Sequence, residues 1–103
     1  MRIFFLTNGF SLPELFLSAA AFVDQHRIAL IERVTLVDPI LDQLSPLIHP
    51  EACDRVRAAA TSQEKMRLLY DSFRSGGVEV KSRFFEILKN IHPHLVRDLH
   101  GMH

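Results

Sequence analysis

Three X-Pro steps divide this chain more sharply than anything else in it. Asp38-Pro39, His49-Pro50 and His92-Pro93 each set a side chain that can accept a hydrogen bond directly before a proline. Proline suits the first position of a helix, where its missing N–H has no intrahelical partner to lose, and it breaks a helix from within. Each step therefore reads as a helix start, and each is followed by an apolar stripe. After Asp38-Pro39 come Ile40, Leu41 and Leu44; Pro46 ends that helix near Gln43 to Ser45, leaving Leu47 and Ile48 to enter the core from a loop. The second step opens a helix to about Ala59 with Ala52, Cys53 and Val56 inward. The third opens a short last helix with Leu95, Val96 and Leu99 inward, stopped by Gly101.

Between these starts the same period persists. Phe22 to Thr35 places Phe22, Val23, Leu30, Ile31 and Val34 on one helical side, which predicts a first main helix over about 20–34. Thr61-Ser62-Gln63-Glu64 is a capping box, and the helix it opens buries Met66, Leu69, Tyr70 and Phe73 until Gly76 stops it. A fifth helix from Val78 to Asn90 uses Phe84, Phe85, Leu88 and Ile91. No strand-like alternation interrupts this series. The expected fold is all-α, an antiparallel bundle of six short helices in one domain over 20–103.

Residues 1–19 stand apart as a leader or extra N-terminal segment. A basic start, an apolar run and Ala19-Ala20-Ala21 give a faint secretory pattern, but Thr7-Asn8-Gly9 and Pro13-Glu14 interrupt it. No uninterrupted stretch is long enough to span a bilayer. The expectation is either a short extra helix, which Ser11 and Pro13-Glu14 could start, or a poorly ordered leader from an upstream segment; if ordered, it would have to cover Phe4, Phe5, Leu15 and Phe16.

Charge narrows the function classes. Twelve bases balance 12 acids, so the chain lacks the basic excess of a nucleic-acid binder, and its helix pairs show no basic recognition face. A chain near neutrality also has little to keep one copy from another. The single cysteine, Cys53, allows no internal disulfide, fits a reducing, cytoplasmic setting, and lies on an apolar stripe, which argues against a nucleophile. His100 and His103 have ligand-like spacing, yet a tail histidine is ordinarily solvated, and no metal or other cofactor is expected. What remains are charges on helix faces. Asp38 and Asp42, four apart, share one face of the second helix; Glu51 and Asp54, three apart, share one of the third. Arg27 on the first helix and Lys65 and Arg67 on the fourth are candidates for an opposite, basic face.

Several runs carry a family resemblance: Phe22-Val23-Asp24-Gln25-His26-Arg27, then Leu30-Ile31 with Arg33-Val34-Thr35, the acids of 38–42, Lys65-Met66-Arg67 with Leu69, and His94-Leu95-Val96 with Asp98-Leu99. In this order and at these intervals the chain, from about residue 20 to 101, resembles a caspase-recruitment domain (CARD), with the opening run most like the branch holding the ASC adaptor and receptor-type sensors. The second helix shows Ile40 where the adaptor often has an aromatic, the link over 72–80 differs, and residues 1–19 match nothing in the family. An isolated domain, a fragment and the terminal CARD of a larger sensor all stay open.

The resemblance implies a six-helix Greek-key death fold without catalysis. It implies a homotypic module of inflammasome or apoptosis signalling, pairing a basic face on helices one and four with an acidic face on helices two and three of the next copy. The basic role falls on Arg27, Lys65 and Arg67, with Arg33 added, and the acidic role on Asp38, Asp42, Glu51 and Asp54. The implied partners are an ASC-type adaptor, an NLR-type sensor, an inflammatory caspase precursor, or a second copy; nucleic acid and membrane are not among them. A domain that docks but does not propagate would act as an inhibitory decoy, the alternative reading. Unlike patches on one surface make a head-to-tail contact that repeats into a filament when the rotation does not close.

Overall fold

The computed structural model describes residues 12–101, with side-chain surroundings from residue 17 onward. Six α-helices occupy most of that span: α1 (Leu12–Gln25), α2 (Arg27–Arg33), α3 (Val37–Leu44), α4 (Pro50–Ala58), α5 (Ser62–Ile91) and α6 (Pro93–His100). A 3-10 turn, Ser45–Leu47, links α3 to α4, and no strand occurs among the described residues. The expected all-α, six-helix bundle is the fold observed. Its hub is α5, against which the other five helices pack. The core they share contains every apolar residue assigned to the first helix, together with Ile40, Leu41, Leu44, Cys53, Val56, Met66, Leu69, Tyr70, Phe73 and Phe84.

The count of six is reached by a different partition of the chain. The single first helix expected over 20–34 is two, broken at His26, whose φ of −103° and ψ of 26° leave the helical range. The cause is tertiary. An unbroken helix would give the Val23 carbonyl to the Arg27 amide; here that carbonyl accepts from the buried Tyr70 hydroxyl of α5 at 2.7 Å. The apolar repeat runs through the break without a change of phase, which is why periodicity alone does not show it. Upstream, α1 starts at Leu12, with Pro13 in its first turn, so the expected boundary near residue 20 falls inside a continuous helix. Ala19 and Ala20 are buried. Phe4 and Phe5 lie outside the described residues, as do the side chains of Leu15 and Phe16 and all of His103.

The fourth and fifth expected helices are two limbs of α5, 62–76 and 78–91, joined at a kink. The first limb runs through Gly76, which keeps a helical backbone and is not the stop that its position suggested. The bend is at Gly77, with φ of 65° and ψ of −149°, a conformation open essentially to glycine alone. Gly76 has another reason to be glycine: a methyl there would run into the Val80 side chain. Gly77→Ala has open space for its methyl, so its cost isolates the backbone term. It is expected to lower the unfolding free energy by about 1–3 kcal/mol, read from urea unfolding, with the fold retained.

The caps follow the sequence with two shifts. His49 caps α4 through Nδ1, which accepts from the Glu51 amide at 3.1 Å. Thr61 Oγ1 accepts from the Glu64 amide at 3.1 Å, while the Glu64 carboxylate returns to the Ala60 amide, one residue earlier than the cap itself. Asp38 is not the cap of α3; Leu36 holds that position and Asp38 lies inside the first turn, where a negative charge favours the helix. Of the pair expected to fill the core from the loop after Pro46, Ile48 is buried and Leu47 is exposed.

Candidate interaction surfaces

The basic side is built where α2 lies on α5. The Tyr70 hydroxyl is fixed on Val23, so its ring lies under the start of α2, and the Arg27 guanidinium sits 5.5 Å from the ring centroid. Burial pushes the Tyr70 phenol well above its ordinary range, helped by the Asp24 carboxylate, so it remains neutral beneath Arg27. On α5, Arg67 and Arg74 stand three residues before and four after Tyr70, which puts them on the same helical face. Both are exposed, and so is Ile28 beside Arg27, at 70% of its full surface. Arg74 was not singled out from the sequence; its seven-residue spacing from Arg67 is the signal that marks it. Asp71 belongs to the other flank, lining a shallow groove with Arg55 and Leu68 between α4 and α5.

The acidic side is built on α3 and α4. Asp42 accepts from Arg57 of α4 at 2.6 Å, which clips the two helices together and raises the Arg57 guanidinium above its ordinary value through that hydrogen bond. Glu51 and Asp54 are exposed on α4.

Of the eight charges picked from the sequence, four are in ion pairs inside the molecule. Lys65 Nζ lies 2.9 Å from Asp38 Oδ1, pairing a residue expected on the basic face with one expected on the acidic face. Arg33 is 2.9 Å from Asp98 and ties α2 to α6. Asp42 is held by Arg57. Among the described residues Arg67, Glu51 and Asp54 make no ion pair, and Arg27 is engaged only with the Tyr70 ring. Among the described residues the unpaired arginines Arg27, Arg67 and Arg74 lie on the α2–α5 side, Glu32 of α2 and Asp71 of α5 are also exposed and unpaired, and Glu51 and Asp54 lie on α4 beside the unpaired Arg55.

No group of three or more His, Cys, Asp or Glu among the described residues is placed to hold a metal, and none of the described helices is long and apolar enough to cross a membrane. Cys53 is buried, as its stripe suggested. His92, at the junction of α5 and α6, makes no capping hydrogen bond; its Nε2 is buried without a partner. Burial lowers its pKa from the ordinary histidine value. The folded state therefore binds this proton less readily than the unfolded chain, so the His92 contribution is complete above the unfolded pKa and is lost as pH falls through the folded one. His92→Asn is expected to flatten the loss of stability on acidification in this window, measured by thermal melts across pH, while the wild-type chain keeps the slope.

Comparison with known proteins matches this architecture. Residues 20–102 fit the family model described as Caspase recruitment domain. NACHT, LRR and PYD domains-containing protein 1a allele 1 of Rattus norvegicus is 51% identical over 79 residues, covering 76% of this chain and 6% of that protein. NACHT, LRR and PYD domains-containing protein 1b allele 3 of Mus musculus is 49% identical over 79 residues, 76% of this chain and 7% of that protein. The aligned part is thus a small fraction of the length of these relatives.

Proposed function

The chain belongs to the caspase recruitment domain family, and we propose that it is a homotypic CARD–CARD module that assembles head to tail in inflammasome signalling. The observation that carries the reading is the placement of two groups of unpaired candidates, Arg27, Arg67 and Arg74 around the exposed Ile28 on the α2–α5 side and Glu51 and Asp54 on α4. An arginine strip around the exposed Ile28 suits an acidic strip on another CARD, and each docked copy leaves its own second face open. One exposed ion pair holds little, about 0–1 kcal/mol. Several contacts per subunit, repeated along an assembly, hold it together by effective concentration.

The partners proposed are a second copy and the CARD of an ASC-type adaptor, an NLR-type sensor or an inflammatory caspase precursor, in the cytoplasm and without catalysis by this chain. Both relatives named above carry NACHT and LRR domains in their names, which supports the sensor side of that set. Electron microscopy and sedimentation of the purified chain, alone and mixed with candidate CARDs, test the reading. Filaments or mixed oligomers that loosen with added salt are expected. A chain that stays monomeric at high concentration and low salt, and binds none of those CARDs, overturns it. Addition to preformed CARD filaments separates the two outcomes of docking, since an assembling module lengthens them and a decoy stops their growth.

A further inference from the structure

Resting on the head-to-tail reading, we infer that Asp38 is an internal latch on Lys65 and not a docking residue, so that removing its charge strengthens assembly. Lys65 is the one basic-face candidate on α5 whose charge is neutralised within the molecule, at 2.9 Å from Asp38 Oδ1. Its side chain is only 20% exposed, against 57% for Asp38, so the carboxylate is the more open member of the pair. A neighbour's carboxylate approaching Lys65 from the groove formed by Thr35, Leu36, Pro39, Ala60 and Thr61 meets Asp38 on the rim of the same groove. Like charges repel there, and the ammonium is already satisfied.

The same pair weakens Asp38 as an acidic docking group. Its charge is spent on Lys65 and on the first turn of α3, where a carboxylate favours the helix. An arginine arriving from a neighbour finds a neutralised pair, whereas Asp54 offers an unpaired carboxylate on α4. The docking surface for a second copy or another CARD is therefore the α4 strip of Glu51 and Asp54. Lys65, two positions before Arg67 and so on a different face of α5, offers its charge to a neighbour only when the latch opens.

The sign of one substitution decides the matter. Asp38→Asn changes the net charge by the same amount as Asp54→Asn, so a general charge effect moves both in one direction. The latch moves them oppositely. Sedimentation velocity on the full chain at fixed low salt is expected to give Asp38→Asn a critical concentration for self-assembly roughly three- to fivefold below wild type, and Asp54→Asn one above it. Asp38→Ser, which keeps a hydrogen-bonding side chain in the first turn of α3, is expected to match Asp38→Asn. Adding Lys65→Gln to Asp38→Asn is expected to cancel the gain. Weaker assembly in both Asp38 variants, like that of Asp54→Asn, overturns the latch and leaves the head-to-tail reading standing. If neither wild type nor any variant self-associates, and none co-sediments with labelled wild-type chain, both are overturned.

Discussion

Phe84→Ala is expected to lower the unfolding free energy by about 3–5 kcal/mol, a large share of the roughly 5–15 kcal/mol that holds a domain folded. The kink at Gly77 turns the second limb of α5 out of line with the first, and contacts between the limbs hold the bend. Those contacts are aromatic. The Phe84 ring lies 5.1 Å from Phe73 and 6.3 Å from Tyr70, both on the first limb, and Phe73 and Tyr70 are 5.2 Å apart. Phe84 is fully buried. Truncation opens a cavity where three rings meet, and it takes packing from Tyr70, whose hydroxyl also sets the break between α1 and α2. Phe85, only partly buried and 5.0 Å from Phe22, provides the contrast, since its truncation leaves a site open to solvent. Denaturant unfolding of the two alanine variants checks this. A Phe84→Ala cost below about 1 kcal/mol would mean that the aromatic trio does not hold the limbs together.

Much of this fold is written locally. The proline steps at 50 and 93 mark helix starts to the residue, because a missing N–H is a property of one position and needs no partner elsewhere. The core is legible for a related reason: a 3.6-residue period assigns each side chain to a face before the partner helix is known. What periodicity misses is tertiary. Nothing near His26 announces that a tyrosine 47 positions away takes the Val23 carbonyl, so the first helix reads as unbroken. Gly76-Gly77 shows that the chain bends, but choosing between them requires knowing that Gly76 faces Val80. The same limit applies to the charges. Spacing puts Asp38 and Asp42 on one face of α3, and they do share it. It cannot say that Lys65, 27 positions on, already neutralises the first of them. Arg74 could have been found, being one heptad after Arg67 and on the same face.

The largest effect on assembly is expected from reversing one free charge on each side. Arg67→Glu destroys the basic strip and places a carboxylate where the neighbour presents Asp54; Asp54→Arg does the converse on α4. Like charges set against each other at a contact raise the critical concentration for self-assembly by at least about tenfold, and both proteins are expected to sediment as monomers with unchanged helicity, since neither residue makes an ion pair among the described residues. The mixture is more telling. Arg67→Glu keeps a working acidic face, and Asp54→Arg keeps a working basic one. The two dock basic on acidic, and the pair then presents a glutamate at 67 on one open end and an arginine at 54 on the other, which are themselves complementary. A head-to-tail mode therefore predicts a mixture that lengthens by alternating the two variants and weakens with salt, although each variant alone stays monomeric. A two-fold mode, with one surface meeting its own copy, gives a different result, because the mixed pair satisfies both contacts at once and closes at the dimer. The doubly reversed chain completes the set. Its glutamate at 67 meets the arginine at 54 on the next copy, and self-assembly returns with the charges exchanged. Recovery of long assemblies by the double variant and by the mixture of the singles, with each single variant alone monomeric, is the expected pattern. A mixture that stays monomeric, or single variants that assemble as the wild type does, would show that the free charges of α4 and α5 do not meet.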